Sequence, residues 1–142
     1  MNYFRIFLAA LAAWLVFFTY GFLVHGLLLA KDYTPYPMGV YRAAEDGRSH
    51  MPIGLLGIFV AILVFAMIYA KGYVGKDNPL TGARLGFLFG VFLVGAFVAV
   101  NYGTIHISGR LALELAVSEP IEWTLVGAMV GLIYKPAQPP LN

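Results

Sequence analysis

The sequence has no cysteine, only 11% charged residues, and no aspartate, glutamate, lysine or arginine inside three long apolar runs. The first absence excludes disulfides, thiolate nucleophiles and cysteine-ligated metal centres. The second excludes an ordinary hydrated globular surface, which carries about a quarter charged residues. Basic residues are few and scattered, and the formal net charge is only +2, so there is no nucleic-acid footprint. Recognisable catalytic patterns are missing too: no nucleophile with a base at usable spacing, no phosphate-binding glycine loop and no metalloprotease signature. The expectation is a protein without catalysis of its own.

What fills the chain instead is apolar. Of 142 residues, 61% are hydrophobic, and the mean hydropathy is +0.80. A single domain of this length cannot hide that much apolar surface in one core, so lipid is the expected solvent. A bilayer core of about 30 Å takes roughly 20 apolar helical residues. Ile6–Ala30, Met51–Ala70 and Leu85–Ile105 each meet that length, bounded by Arg5, Lys31, Lys71 and Arg84. Ile121–Tyr134 is short: it either takes in Ser118, Glu119 and Pro120 before it and Lys135 after it, or continues from "RLALELAV" through a kink, and Pro120, suited to a first helical turn, favours the former. The expected architecture is an all-α integral membrane protein, a four-transmembrane-helix bundle with spans at about 5–30, 51–71, 84–106 and 119–135. "RLALELAV" is then a short interfacial segment before the fourth span. Ala10-Leu11-Ala12 matches a small-x-small cleavage pattern, but the apolar stretch before it is too short and the run continues beyond it, so the first span reads as a retained helix. The 31–50 loop, "KDYTPYPMGVYRAAEDGRSH", is too small to fold alone and is expected to lie along the interface or dock onto another subunit.

Four spans put both termini on one side with the 71–84 loop. That side carries Arg5, Lys71, Lys76, Arg84 and Lys135, against Lys31, Arg42, Arg48 and Arg110 on the other, a small bias towards cytoplasmic termini. Small residues permit close helix contact in lipid. Gly82, Gly86 and Gly90 form one four-residue repeat, and Gly95, Ala99 and Gly103 form another about 140° away around the same helix. With Gly127 and Gly131 of the fourth span, these residues are the expected packing or partner interface.

All three histidines are expected towards the face opposite the termini. His25 lies deepest and shares its helix face with Gly21 and Phe18, a face expected to turn into the bundle. His50 precedes the second span, and His106 ends the third, in "VNYGTIHISGR". Glu119 and Glu122 are expected at the mouth of the fourth span, where a helix N-terminus favours negative charge. His25 and His106 are the candidate cofactor ligands, for haem or a metal, and His50, Glu119 and Glu122 would complete a metal site. No ligand spacing is diagnostic, so the first expectation is no cofactor.

Three stretches carry a family resemblance: "TYGFLVHG" ending the first span, "NYGTIHISGR" after the third, and "VGAMVGLIYKP" closing the fourth. They resemble small uncharacterised four-span proteins of bacterial inner membranes. The resemblance implies the fold and a bacterial inner-membrane location, and no activity. The leading expectation is a structural or accessory subunit packed among membrane lipids and other subunits of a larger complex, respiratory or photosynthetic in type. A haem- or metal-binding protein using His25 and His106 is the alternative. A small-molecule carrier is the weaker one, because carriers use a protonatable group deep in the membrane and the acids here are expected only at a helix mouth.

Overall fold

The computed structural model describes residues 1–33, 44–72 and 78–136, with no side-chain detail at 44–46. Every element among them is helical: α1 (Tyr3–Gly21), continued by a π-helical segment (Phe22–Leu28), then α2 (Ala30–Tyr33), α3 (Ala44–Lys71) and α4 (Pro79–Leu93). A second π-helical segment (Val94–Ala99) and α5 (Val100–Thr104) prolong α4, and α6 (Gly109–Ile133) closes the bundle. Four helical stretches are long and apolar enough to cross a membrane: Tyr3–Leu28, Gly47–Lys71, Pro79–Thr104 and Gly109–Ile133.

Local chemistry explains where these helices start. Asn2 accepts a hydrogen bond from the Arg5 amide at 3.1 Å, and Asn78 accepts one from Leu80 at 2.9 Å with Pro79 at the first helical position. The Ser108 hydroxyl accepts from the Leu111 amide at 3.1 Å, which fixes the start of α6 at Gly109. This corrects the expected fourth span. There is no separate interfacial segment: "RLALELAV" is the first third of one continuous helix, and Pro120 lies in its middle rather than in its first turn. An interior proline withholds the bond to the carbonyl four residues before it, here that of Ala116, and membrane-type helices tolerate this; one turn on, the Thr124 hydroxyl back-bonds to the Pro120 carbonyl. The other three spans fall within a few residues of their expected limits. Residues 34–43 of the 31–50 loop lie outside the described residues.

The core sits where α1, α3, α4 and α6 converge. Ala9, Ala10 and Ala13 of α1 and Ile62, Phe65 and Ala66 of α3 meet Trp123, Val126 and Val130 of α6, all buried. Phe65, Phe89 and Trp123 form a ring cluster with centroids 4.7–5.6 Å apart, and the Trp14 indole donates to the Leu55 carbonyl at 3.1 Å, tying α1 to α3. Outside, the bundle is equally apolar: Leu28, Ile53, Leu88 and Leu113 each leave about two-thirds or more of their surface exposed.

α4 and α6 run antiparallel at the closest approach in the molecule, and glycine is the reason. A Cβ on Gly82 would collide with the Gly127 carbonyl, one on Gly127 with the Gly82 carbonyl, and one on Gly86 with the Trp123 carbonyl. At Gly90 a Cβ would lie 2.5 Å from the Pro120 Cα, and at Gly131 3.1 Å from the Pro79 Cα. The expected interface residues therefore divide. Gly82, Gly86, Gly90, Gly127 and Gly131 are consumed inside the chain, whereas Gly95, Ala99 and Gly103 are exposed, with open space above both glycines.

Candidate functional site

The antiparallel pairing of α1 with α6 gathers a small polar cluster in an otherwise apolar seam. Starting α6 at Ser108 brings Ser118, Glu119 and Glu122 into the interior of the span, Glu122 being the fourteenth of the 25 residues of α6. At 1.5 Å per residue it is about 20 Å along the helix from Gly109. Neither acid is at a helix mouth, contrary to expectation. Glu122 is only 3% exposed, and its Oε1 atom is buried without a hydrogen-bond partner. It lies against Gly21, where a Cβ would stand 3.6 Å from that oxygen, so the small residue of α1 leaves room for the carboxyl. Glu119 lies half-buried one turn back.

Above Glu122, Ser118 is 4% exposed and receives two side chains from the first span. The Tyr20 hydroxyl is 3.2 Å from the Ser118 hydroxyl and 3.4 Å from its carbonyl. His25, in the π-helical segment, sets Nε2 3.5 Å from the Ser118 hydroxyl and Nδ1 3.0 Å from the Tyr33 hydroxyl of α2. π-Helical turns are rare and recur at functional sites. At the end of the seam Arg110 pairs with Glu114 at 2.9 Å and with Asp32 at 3.4 Å, holding α2 against the start of α6. A groove of about 380 Å³ beside Tyr20 and Ser118 is walled by Val24, Leu28, Leu113 and Val117. The outward flank of the cluster is thus hydrocarbon.

No family model, curated protein or solved structure matches this chain. The site must be read from its own chemistry.

The two candidate cofactor ligands have different fates. Both ring nitrogens of His25 are engaged, by Tyr33 and Ser118. His106 is exposed on the turn after α5, and no hydrogen bond or ring contact joins it to His25. His50 is exposed beside Ser49, 2.9 Å from its hydroxyl. Among the described residues no three His, Asp or Glu side chains gather closely enough to hold a metal ion, so His25, His50, His106, Glu119 and Glu122 do not form the alternative site. The expectation that the His25 face turns inward holds. Tyr20, Tyr33 and Ser118 were not singled out in the sequence; the signal available was Ser118 one turn before Glu122, legible only once α6 is counted from Ser108.

An unpartnered carboxyl in apolar surroundings is expensive, and intramembrane ionisable residues default to a functional role. The polar groups one turn away along the seam, the Ser118 hydroxyl with the His25 imidazole and the Tyr20 phenol on it, can pass protons and supply too few oxygens to replace the hydration shell of a metal cation.

Proposed function

We propose that this is an integral membrane protein of the bacterial inner membrane type, with cytoplasmic termini, that binds and releases a proton at Glu122 in the manner of a small proton-coupled carrier. The observation that carries the reading is the Glu122 carboxyl: inside the longest-buried span, against Gly21, with one oxygen unpartnered. A group whose only service was structural would be satisfied or replaced by an apolar side chain, since an unmet buried polar atom costs about 1–3 kcal/mol. Proton-coupled carriers hold such a carboxylate within the span beside interrupted helices. Here the helices are unbroken but irregular: the first span turns π-helical at Phe22–Leu28, where His25 sits, and α6 carries Pro120 in its interior. The test is infrared spectroscopy of the protein reconstituted in lipid, in water and in deuterium oxide, from acid to alkaline buffer. A carboxylic-acid band that responds to pH or shifts on deuteration, and that Glu122→Gln removes, supports the reading. If Glu122→Gln removes no such band, Glu122 exchanges no proton and the reading fails.

A second reading, an accessory subunit of a larger membrane complex, keeps one specific support: the exposed stripe of Gly95, Ala99 and Gly103, open to close approach by another helix. Native mass spectrometry after mild extraction from the membrane tests it, a stable complex with other subunits being the expected result and a lone chain the refuting one.

A further inference from the structure

We infer that the proton reaches Glu122 from one side only, the end bearing Asp32 and Arg110, through Ser118, His25 and Tyr33. The inference rests on the proton-binding reading and adds its direction. Three polar groups stand in line from the end of the bundle inward: the Tyr33 hydroxyl 3.0 Å from His25 Nδ1, and His25 Nε2 3.5 Å from the Ser118 hydroxyl. Ser118 and Glu122 are four residues apart, one turn on the same face of α6, and a helical side chain leans back towards the helix N-terminus. The Glu122 carboxyl therefore leans towards the Ser118 turn; no hydrogen bond joins the two in the resting structure, so the last transfer requires the Ser118 hydroxyl and the carboxyl to rotate into contact. The Tyr20 hydroxyl, bonded to Ser118, holds that serine in line.

An inward transfer balances as follows. Tyr33 takes a proton from the aqueous end and gives its own to Nδ1 of His25. His25 releases the proton on Nε2 to the Ser118 oxygen, and the Ser118 hydroxyl proton passes to the Glu122 carboxylate. Rotation of the hydroxyls and a tautomer change of the imidazole reset the chain. Imidazole is suited to the central position because it accepts on one nitrogen while donating from the other. The charged and titratable groups facing the path are Glu119, Glu114 and Arg110 of α6 and Asp32 and Lys31 of α2. Glu114 and Asp32 are joined through Arg110 and stand at the outer end, where they would draw protons to the mouth.

Among the described residues no such chain joins Glu122 to the opposite end, where the next buried phenols, Tyr69 and Tyr134, lie beyond a layer of valines. Below Glu122, α6 presents Val126 and Val130 to Ala9, Ala13 and Phe65, all buried. A proton at Glu122 meets hydrocarbon there.

The experiment follows the Glu122 carboxylic-acid band by time-resolved infrared after a pH jump, in the full chain reconstituted in lipid nanodiscs. Tyr33→Phe removes one oxygen from a half-buried position, and His25→Leu removes the central carrier. Both are expected to slow the Glu122 response at least about tenfold with its final amplitude intact, while Tyr102→Phe, an exposed phenol outside the chain, responds at the wild-type rate. Wild-type rates in both Tyr33→Phe and His25→Leu overturn the one-sided path while leaving the proton-binding reading in place. Loss of the band from the unsubstituted protein overturns both. Should His25→Leu fail to fold, Tyr33→Phe alone decides the matter.

Discussion

Adding a single methyl group at Gly86 should separate α4 from α6, and the structure sets the size of the effect. The new Cβ would collide with the Trp123 carbonyl oxygen, lie 2.8 Å from its carbon, and stand 3.2 Å from the Gly127 Cα. Carbon atoms rest at about 3.5–4.0 Å from one another and the carbonyl oxygen is struck harder still, so the helices must part by roughly 1 Å or more. The atoms struck are backbone on both sides, so no side chain can swing away. A gap of that width forfeits a quarter to a half of each contact's attraction. If the glycine seam makes about as many atom pairs as one buried leucine, some 40–60 at about 0.1–0.2 kcal/mol each, the loss is about 1–6 kcal/mol, a range that contains the roughly 1–3 kcal/mol usual for overpacking. Gly95→Ala is the matched control: the same change on the same run of helix, with nothing within 4 Å of the new methyl. It should alter stability by less than about 0.5 kcal/mol. Unfolding both variants in mixed micelles, followed by the fluorescence of the two buried or half-buried tryptophans, Trp14 and Trp123, measures the difference. Equal stabilities for Gly86→Ala and Gly95→Ala would refute the assignment of the first glycine stripe to α6 and of the second to the open face.

Glu122→Leu, similar in size and without the unmet oxygen, should be as stable as the parent or more so while abolishing proton exchange, because replacing an uncompensated buried polar group with an apolar one is often neutral or favourable; a loss above about 2 kcal/mol in the same unfolding assay would make Glu122 a structural residue. Ser108→Ala should cost about 1 kcal/mol and speed hydrogen exchange at the amide of Leu111, since the cap of α6 is lost; unchanged exchange there would refute the cap. His106→Ala should change neither stability nor the infrared response, whereas a haem or metal ligand at His106 would reveal itself by a lost absorption band or metal content.

How much of this was open to sequence reading differs from element to element. The apolar runs of the first three spans were legible because a span is a local property: twenty apolar residues without charge have only one solvent available. The inward face of His25 and Gly21 was legible from helical spacing, and so were both glycine stripes, at four-residue intervals. The start of α6 was not. Pro120 carries a strong preference for a first helical turn, and it outweighed the weaker cap at Ser108, whose serine is followed by an apolar run without a capping-box acid. That one misplacement moved Glu119 and Glu122 from the interior of a span to its mouth and made a carrier look remote.

The sequence by itself therefore determined that the chain is helical, that four of its helical stretches are long and apolar enough to cross a membrane, and which faces are smooth enough for close contact, all of which depend on residues within one or two turns of each other. Which stripe α6 occupies, and which stays open, depended on the pairing of helices. So did the meeting of Glu122 with Gly21, and of Ser118 with Tyr20 and His25, residues 93 to 101 positions apart in the chain. Such contacts are set by where the interhelical surfaces fit most closely, and that closeness is decided at the glycine seam between α4 and α6 and the alanine face of α1, where backbones approach as no local pattern specifies.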